Sequence, residues 1–294
     1  MYSVKKLHSP VSLEAALCLL AGEEKALPLA GGTDILVKMR GGELKDVSLV
    51  SLAKLAELRE IAEDENGDIL IGSAVTFTDV AQSPIVGARV PMLCTAALSM
   101  GGPQIQNVAT IGGNVCNGAT SADSAPSLFA LDAMLELRSA EKTRCVPIGE
   151  FYTGPGKTVR RPDELLVSIR LPIARKERWG GVYLKYSTRK AMDISTLGCA
   201  AVCELDADGA TVRRAAIALG TAAPTPVRCT EAESLLDGKI PTAELMEQVG
   251  QAARNATNPR TSWRATKEYR EALAEESAQR AFMQAYQQAK GETL

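Results

Sequence analysis

Leu29-Ala30-Gly31-Gly32-Thr33-Asp34 is the stretch on which the fold reading turns. It follows the short apolar run Ala26-Leu27-Pro28 and precedes Ile35, Leu36 and Met39 at helical spacing, which predicts strand, glycine turn, short helix. Glycines in such a turn let backbone N–H groups approach an anion closely, and the helix start adds positive partial charge. The Thr33 hydroxyl is one more donor. About 80 residues on, Thr110-Ile111-Gly112-Gly113-Asn114 offers the same chemistry between Val108 and Val115. Two such cradles suit one long ligand gripped at a diphosphate, and two unrelated structural turns would leave the same letters. Neither stretch fits G-x-G-x-x-G or G-x-x-x-x-G-K-[ST], so a Rossmann or Walker site is not supported.

Outward from these loops, Ser9-Pro10 before Leu13, Leu17 and Leu20 predicts a helix with Ser9 as N-cap, Pro10 in the first helical position and Gly22 at its end. Residues 47–52 and 69–72 read as strands, the latter entered through Asn66-Gly67-Asp68, and 91–100 as a buried helix of small apolar residues. Residues 101–126 are rich in glycine and asparagine. Strand-like runs recur at 133–137, 165–171, 182–186, 197–205 and 212–219. Helices follow at 242–253 and 265–289, the second with Tyr269, Leu273, Phe282 and Tyr286 on an apolar face. Two parts result: 1–175, with subdomains of about 1–55 and 56–175, and an α+β module over 176–294. Ala174-Arg175-Lys176-Glu177-Arg178 is the polar junction between them.

A chain of 294 residues can bury about 75% of its unfolded surface as one or two domains. Its 46% hydrophobic and 23% charged residues are those of a globular protein, not a disordered or collagen-like one. Net charge is −2, with 33 basic against 35 acidic residues, so no global field draws it to nucleic acid or an anionic membrane. No apolar run is long enough for a membrane span, and Met1-Tyr2-Ser3-Val4-Lys5-Lys6-Leu7-His8 lacks the core of a signal peptide; a cytoplasmic location is expected. The seven cysteines are widely spaced, with no C-x-x-C pair, and read as reduced, mostly buried thiols rather than metal ligands. His8 is the single histidine, which removes histidine triads and multi-histidine zinc sites.

Ala30 to Asp34, Gly102 to Asn114 and Asn117-Gly118-Ala119-Thr120-Ser121-Ala122-Asp123 together resemble the FAD-binding subunit of molybdenum hydroxylases. The likeness continues through Thr153-Gly154-Pro155-Gly156-Lys157, Asp163-Glu164-Leu165-Leu166, Lys185-Tyr186, Ala191-Met192-Asp193-Ile194-Ser195-Thr196, Ala223-Pro224-Thr225-Pro226 and Ser262-Trp263-Arg264, nearly the whole chain. It is nearest to the separate FAD subunits of bacterial xanthine dehydrogenases. The resemblance implies a vanillyl-alcohol-oxidase-type FAD-binding domain of two α/β subdomains followed by a C-terminal α+β domain. It also implies non-covalent FAD held by Leu27, Pro28, Leu29, Ala30, Gly31, Gly32, Thr33 and Asp34 of the first loop, and by Ala109, Thr110, Ile111, Gly112, Gly113 and Asn114 of the second.

On the same grounds Asp123 is expected to hydrogen-bond FAD, and Leu165, Leu166 and Leu184 to line it. Lys185 is expected to reach the flavin ring, where a cation would favour the reduced anion. Read without the resemblance, Lys185 is an ordinary strand lysine. Met100 occupies a position where some relatives carry an aromatic against the ring, which methionine can also cover. Arg189 and Asp193 match residues near the face that nicotinamide approaches; by themselves they read as a surface ion pair.

The leading functional expectation is an electron-transfer subunit of xanthine dehydrogenase, passing electrons from [2Fe–2S] clusters through FAD to NAD⁺. Its partners would be a molybdopterin-binding subunit and a [2Fe–2S] subunit, since this chain has neither clustered cysteines nor room for a molybdopterin domain. Alternatives are a flavin subunit serving carbon monoxide, nicotinate or an aromatic acyl thioester, and a stand-alone flavin oxidase. A non-enzymatic scaffold is opposed by the two glycine loops.

Overall fold

The computed structural model describes residues 3–173 and 178–292. Of the expected polar junction, Ala174 to Glu177 lie outside the described residues. The first layer comprises β1 (Val4–His8), α1 (Leu13–Gly22), β2 (Ala26–Leu29), α2 (Ile35–Arg40) and β3 (Val47–Ser51). Its sheet is parallel, in the order β1-β3-β2. Central β3 is the most buried strand and edge β1 is largely exposed, which is why β1 shows no apolar signal in the sequence. Helix α1 buries Leu13, Ala16, Leu17 and Leu20. Its N-cap is Ser12, not Ser9: the Ser12 hydroxyl accepts from the Ala15 N–H at 3.2 Å. The Leu13 N–H is met by the Glu57 carboxylate at 2.8 Å, so the later start satisfies the first turn without burying Val11, which is 78% exposed.

The second part runs through β4 (Ile61–Glu63), β5 (Ile69–Gly72), α3 (Phe77–Gln82), α4 (Pro84–Arg89), α5 (Pro91–Ser99), α6 (Pro103–Gln106), α7 (Ile111–Asn117) and α8 (Ser124–Ala130). It continues with β6 (Met134–Arg138), β7 (Thr143–Pro147), α9 (Ile148–Phe151), the short pair β8 (Tyr152–Gly154) and β9 (Lys157–Thr158), and β10 (Leu165–Leu171). The five-stranded sheet has the order β4-β5-β10-β6-β7, with β10 antiparallel to both neighbours. The glycine-rich 101–126 stretch carries α6, α7 and the start of α8 with turns between them, and Gly112 and Gly113 lie in the first turn of α7.

The third part is an antiparallel sheet of β11 (Trp179–Tyr186), β12 (Leu197–Leu205), β13 (Val212–Gly220) and β14 (Val227–Arg228), followed by α10 (Thr230–Leu236), α11 (Ala243–Asn255) and α12 (Lys267–Ala289). All nine residues of β12 are buried, and alternate side chains belong to different cores. Ala200 and Val202 join the core of the second part, whereas Cys199, Ala201 and Cys203 join the core beneath the C-terminal helices. The sheet is thus covered on both faces. Helix α12 lies on it through Ala274, Ala278, Ala281, Phe282, Ala285, Tyr286 and Ala289. Of the apolar face expected from sequence, Leu273, Phe282 and Tyr286 pack on the core while Tyr269 is 55% exposed, and an alanine stripe completes the close approach. No helix among the described residues is long and apolar enough to cross a membrane.

Candidate functional site

The two glycine loops touch each other. A Cβ on Gly31 would stand 1.8 Å from the Val108 carbonyl oxygen, and one on Gly112 would stand 2.5 Å from the backbone oxygen of Ser73. Gly31 and Gly112 are therefore glycine because backbone packs on backbone there. Gly32, with φ +75°, takes the left-handed conformation that turns β2 into α2. At the second loop the Thr110 hydroxyl accepts from the Gly113 N–H at 3.1 Å, capping α7. Between the loops lies a cavity of about 640 Å³, within the range of small-molecule and cofactor clefts.

A hydrogen-bonded hub closes one side of the cavity. Buried Asp123 accepts from Tyr183 Oη at 2.9 Å, Ser195 Oγ at 2.5 Å and Lys185 Nζ at 2.9 Å. Lys185 spends its other two donors on the carbonyls of Ser99 (2.8 Å) and Asp193 (3.0 Å). Burial, helped by the Asp123 charge, pushes the Tyr183 hydroxyl well above its ordinary value, so Tyr183 stays a donor. The turn between β11 and β12 leans over the cavity: the Met192 N–H bonds the Gly101 carbonyl at 2.8 Å. Arg270 of α12 pins the end of that turn by donating to the Thr196 carbonyl at 2.5 Å. Within the turn the Asp193 carboxylate accepts from the Arg189 N–H (2.9 Å) and the Ile194 N–H (3.0 Å). The Arg189 hydrogen bond leads in holding this carboxyl below the usual carboxylate range.

Most of the residues expected from sequence meet at this cavity. Its wall includes Leu27, Pro28, Ala30, Gly31, Gly32, Thr33, Asp34, Met100, Ala109, Thr110, Gly112, Gly113, Asn114, Asp123, Leu165, Leu166 and Asp193. Five expected residues do not line it. Leu29 packs beside the small core of Met39, Val47 and Leu49, and Ile111 is fully buried in the main core. Leu184 faces the C-terminal helices because β11 alternates, and the Arg189 side chain is 66% exposed. Lys185 has all three donors occupied, so its charge reaches the cavity through Asp123 and the Asp193 carbonyl. Lys38, Ser73, Cys116, Asn117 and Arg160, none of which was expected at the site from sequence, also line the wall. Two of them left a trace: Lys38, one helical turn beyond Asp34, and Asn117, which opens the stretch that ends at Asp123. Burial pushes the Cys116 thiol up to about 11.

Residues 2–174 match the family model described as the FAD binding domain in molybdopterin dehydrogenase, and residues 182–285 match the CO dehydrogenase flavoprotein C-terminal domain. The chain is an FAD-binding subunit of the molybdenum hydroxylase family. It is 43% identical to the xanthine dehydrogenase FAD-binding subunit of Escherichia coli O157:H7 over 270 residues, 92% of each chain. It is 34% identical to the carbon monoxide dehydrogenase medium chain of Hydrogenophaga pseudoflava, over 95% of this chain and 96% of that one. The solved structure of carbon monoxide dehydrogenase from the same organism superposes with a TM-score of 0.92 at 31% identity, covering 98% and 99% of the two chains.

The cavity of this molybdenum hydroxylase subunit fits FAD on its own geometry. Among the described residues, the N–H groups of Gly32, Thr33 and Asp34 donate to no backbone partner, and all three residues line the cavity. The buried Ser73 hydroxyl, also in the wall, has no hydrogen-bond partner. Donors left open around a cavity of this size suit an anionic, elongated cofactor.

Proposed function

We propose that this oxidoreductase subunit belongs to a cytoplasmic xanthine dehydrogenase. In this reading it sits between a [2Fe–2S] subunit and NAD⁺, with purine hydroxylation carried out on a molybdopterin-binding subunit. The observation that carries the reading is the 43% identity, spread over nearly the full length, to a xanthine dehydrogenase subunit. FAD, when bound, supplies the exchange between single electrons from clusters and a hydride.

This chain's own residues bind and orient the cofactor. Gly32, Thr33 and Asp34 would meet its diphosphate with backbone donors, and Ser73 would offer one hydroxyl. Met100 and Met192 would cover the ring, and the Asp123–Lys185–Tyr183 hub would fix the wall beside it through its hydrogen bonds. Asp193, kept ionised by its own turn, would set the charge where nicotinamide approaches. The carbon monoxide alternative draws on the structural superposition, and substrate choice between the two lies in the molybdenum subunit.

The test is the division of labour. The FAD-loaded chain alone should pass electrons from NADH to an artificial dye and hydroxylate no purine. Assembled with its [2Fe–2S] and molybdenum subunits, it should reduce NAD⁺ with xanthine and not with carbon monoxide. Carbon monoxide oxidation by that complex would overturn the substrate reading. An FAD-loaded chain inert to NADH would overturn the acceptor.

A further inference from the structure

Among the described residues the cavity wall carries five charged side chains: Asp34, Lys38, Asp123, Arg160 and Asp193. Asp123 is compensated by Lys185, and Asp193 by Arg189. The two cations are not compensated. Lys38 Nζ donates only to the neutral Asn117 Oδ1, at 2.9 Å. Arg160 donates to the carbonyls of Arg161 (2.9 Å) and Glu164 (2.6 Å). The adjacent Glu164 carboxylate is already taken by Arg144 at 2.7 Å and Arg161 at 3.1 Å. No carboxylate among the described residues forms a salt bridge with Lys38 or Arg160.

Both cations address the same stretch of wall. Lys38 is tied to Asn117, and Arg160 acts electrostatically on the neighbouring Cys116 thiol. Cys116 and Asn117 form the last turn of α7, and Gly112 and Gly113 its first. The rise of a helix puts that last turn only about 7 Å along the axis from the glycines. Half-buried positive charge without a partner is costly to a folded chain and favours an anion that can enter. FAD carries its formal negative charge on the diphosphate and nowhere else.

We propose that Lys38 and Arg160 form a two-cation clamp on the diphosphate of FAD, completing from side chains the cradle that the two glycine loops begin with backbone. The loops provide shape and N–H donors; the clamp provides the compensating charge. This assignment rests on FAD as the ligand of the cavity. That premise and the clamp fail separately, because an unsubstituted chain that does not bind FAD refutes only the premise.

Titration of the flavin-free full-length chain by quenching of FAD fluorescence tests the clamp, with thermal unfolding of the same flavin-free samples as the folding control. Lys38→Gln and Arg160→Gln should each weaken FAD binding about tenfold at low salt, as expected for one charge-assisted contact to phosphate. The loss should shrink at high salt, where the charges are screened. Lys38→Arg and Arg160→Lys should recover most of the affinity, since they restore charge at the same place. An FAD dissociation constant within twofold of the unsubstituted chain in both Gln variants would overturn the clamp. So would a loss that salt does not alter and that the charge-preserving variants do not rescue, the signature of lost packing.

Discussion

Gly31 and Gly113 look equivalent as letters and differ in what surrounds them. A Cβ at Gly31 meets a backbone carbonyl at 1.8 Å, an atom that cannot move without parting the two loops. A Cβ at Gly113 meets only the Thr110 hydroxyl, at 2.9 Å. Gly31→Ala should therefore cost stability on the order of 3 kcal/mol and empty the site of FAD at the same time. Gly113→Val should mainly strip FAD, because it fills the cradle and disturbs one cap. Chemical unfolding of the flavin-free chains, set beside flavin content after gel filtration, separates the two. Equal unfolding midpoints for Gly31→Ala and the parent would refute the loop-to-loop explanation. The same distinction applies to Lys185, whose charge was legible in the sequence while its three partners were not.

Elements carry two further expectations. The first turn of α1 is capped by Ser12, so Ser12→Ala should lose about 1 kcal/mol whereas Ser9→Ala should stay within about 0.5 kcal/mol. The sequence pattern pointed to Ser9, because Pro10 follows it. What moves the start to Ser12 is Glu57, which arrives from 44 positions away to receive the Leu13 N–H.

Strand β12 sets the second expectation, because it places Cys199 and Cys203 on its helix-facing side with no exposed surface. Burial pushes both thiols up to about 12 from an ordinary 9.0. A raised value means the folded chain keeps a proton that the unfolded chain releases. Their contribution is then fully present below pH 9 and lost as pH climbs through 9 toward 12, by up to about 1.4 kcal/mol per pH unit per thiol. Urea midpoints measured between pH 8 and pH 10.5 should fall, and Cys199→Ala should flatten the slope whatever it does to the absolute midpoint. An unchanged slope would show that this thiol is not held protonated.

At the scale of the molecule, the cavity takes its wall from all three sheet-bearing parts: Leu27 to Asp34, Met100 to Asp123, and the turn at Met192, Asp193 and Ile194. A ligand touching all three should couple their unfolding. FAD at a hundredfold excess over its dissociation constant should add about 2.7 kcal/mol and raise the melting temperature by several degrees. Calorimetry should then give one transition with FAD and a broader or split one without it. A stripped chain that melts as sharply as the loaded one would mean the interfaces, not the cofactor, join the parts.

What the sequence determined by itself was local or periodic. The 2-residue and 3.6-residue patterns placed β5, β10, β12, β13, α5, α11 and α12, and the glycine pairs located the cavity, because backbone conformation and amphipathic pattern are written in neighbouring residues. Edge strand β1 stayed silent because a largely exposed strand needs no apolar alternation, and on α12 Phe282 and Tyr286 are buried as expected while the alanine stripe was missed, because small residues matter only where another backbone comes close, as Gly180 does to Ala285. Tertiary structure alone decided the charges of the site. Asp123 with Lys185, Lys38 with Asn117 and Arg160 with the carbonyl of Glu164 depend on the insertion of β10 between β5 and β6 and on the turn after β11 reaching Gly101. Whether a given charge ends compensated or open to a ligand depends on distances across that packing, and no spacing along the chain encodes them.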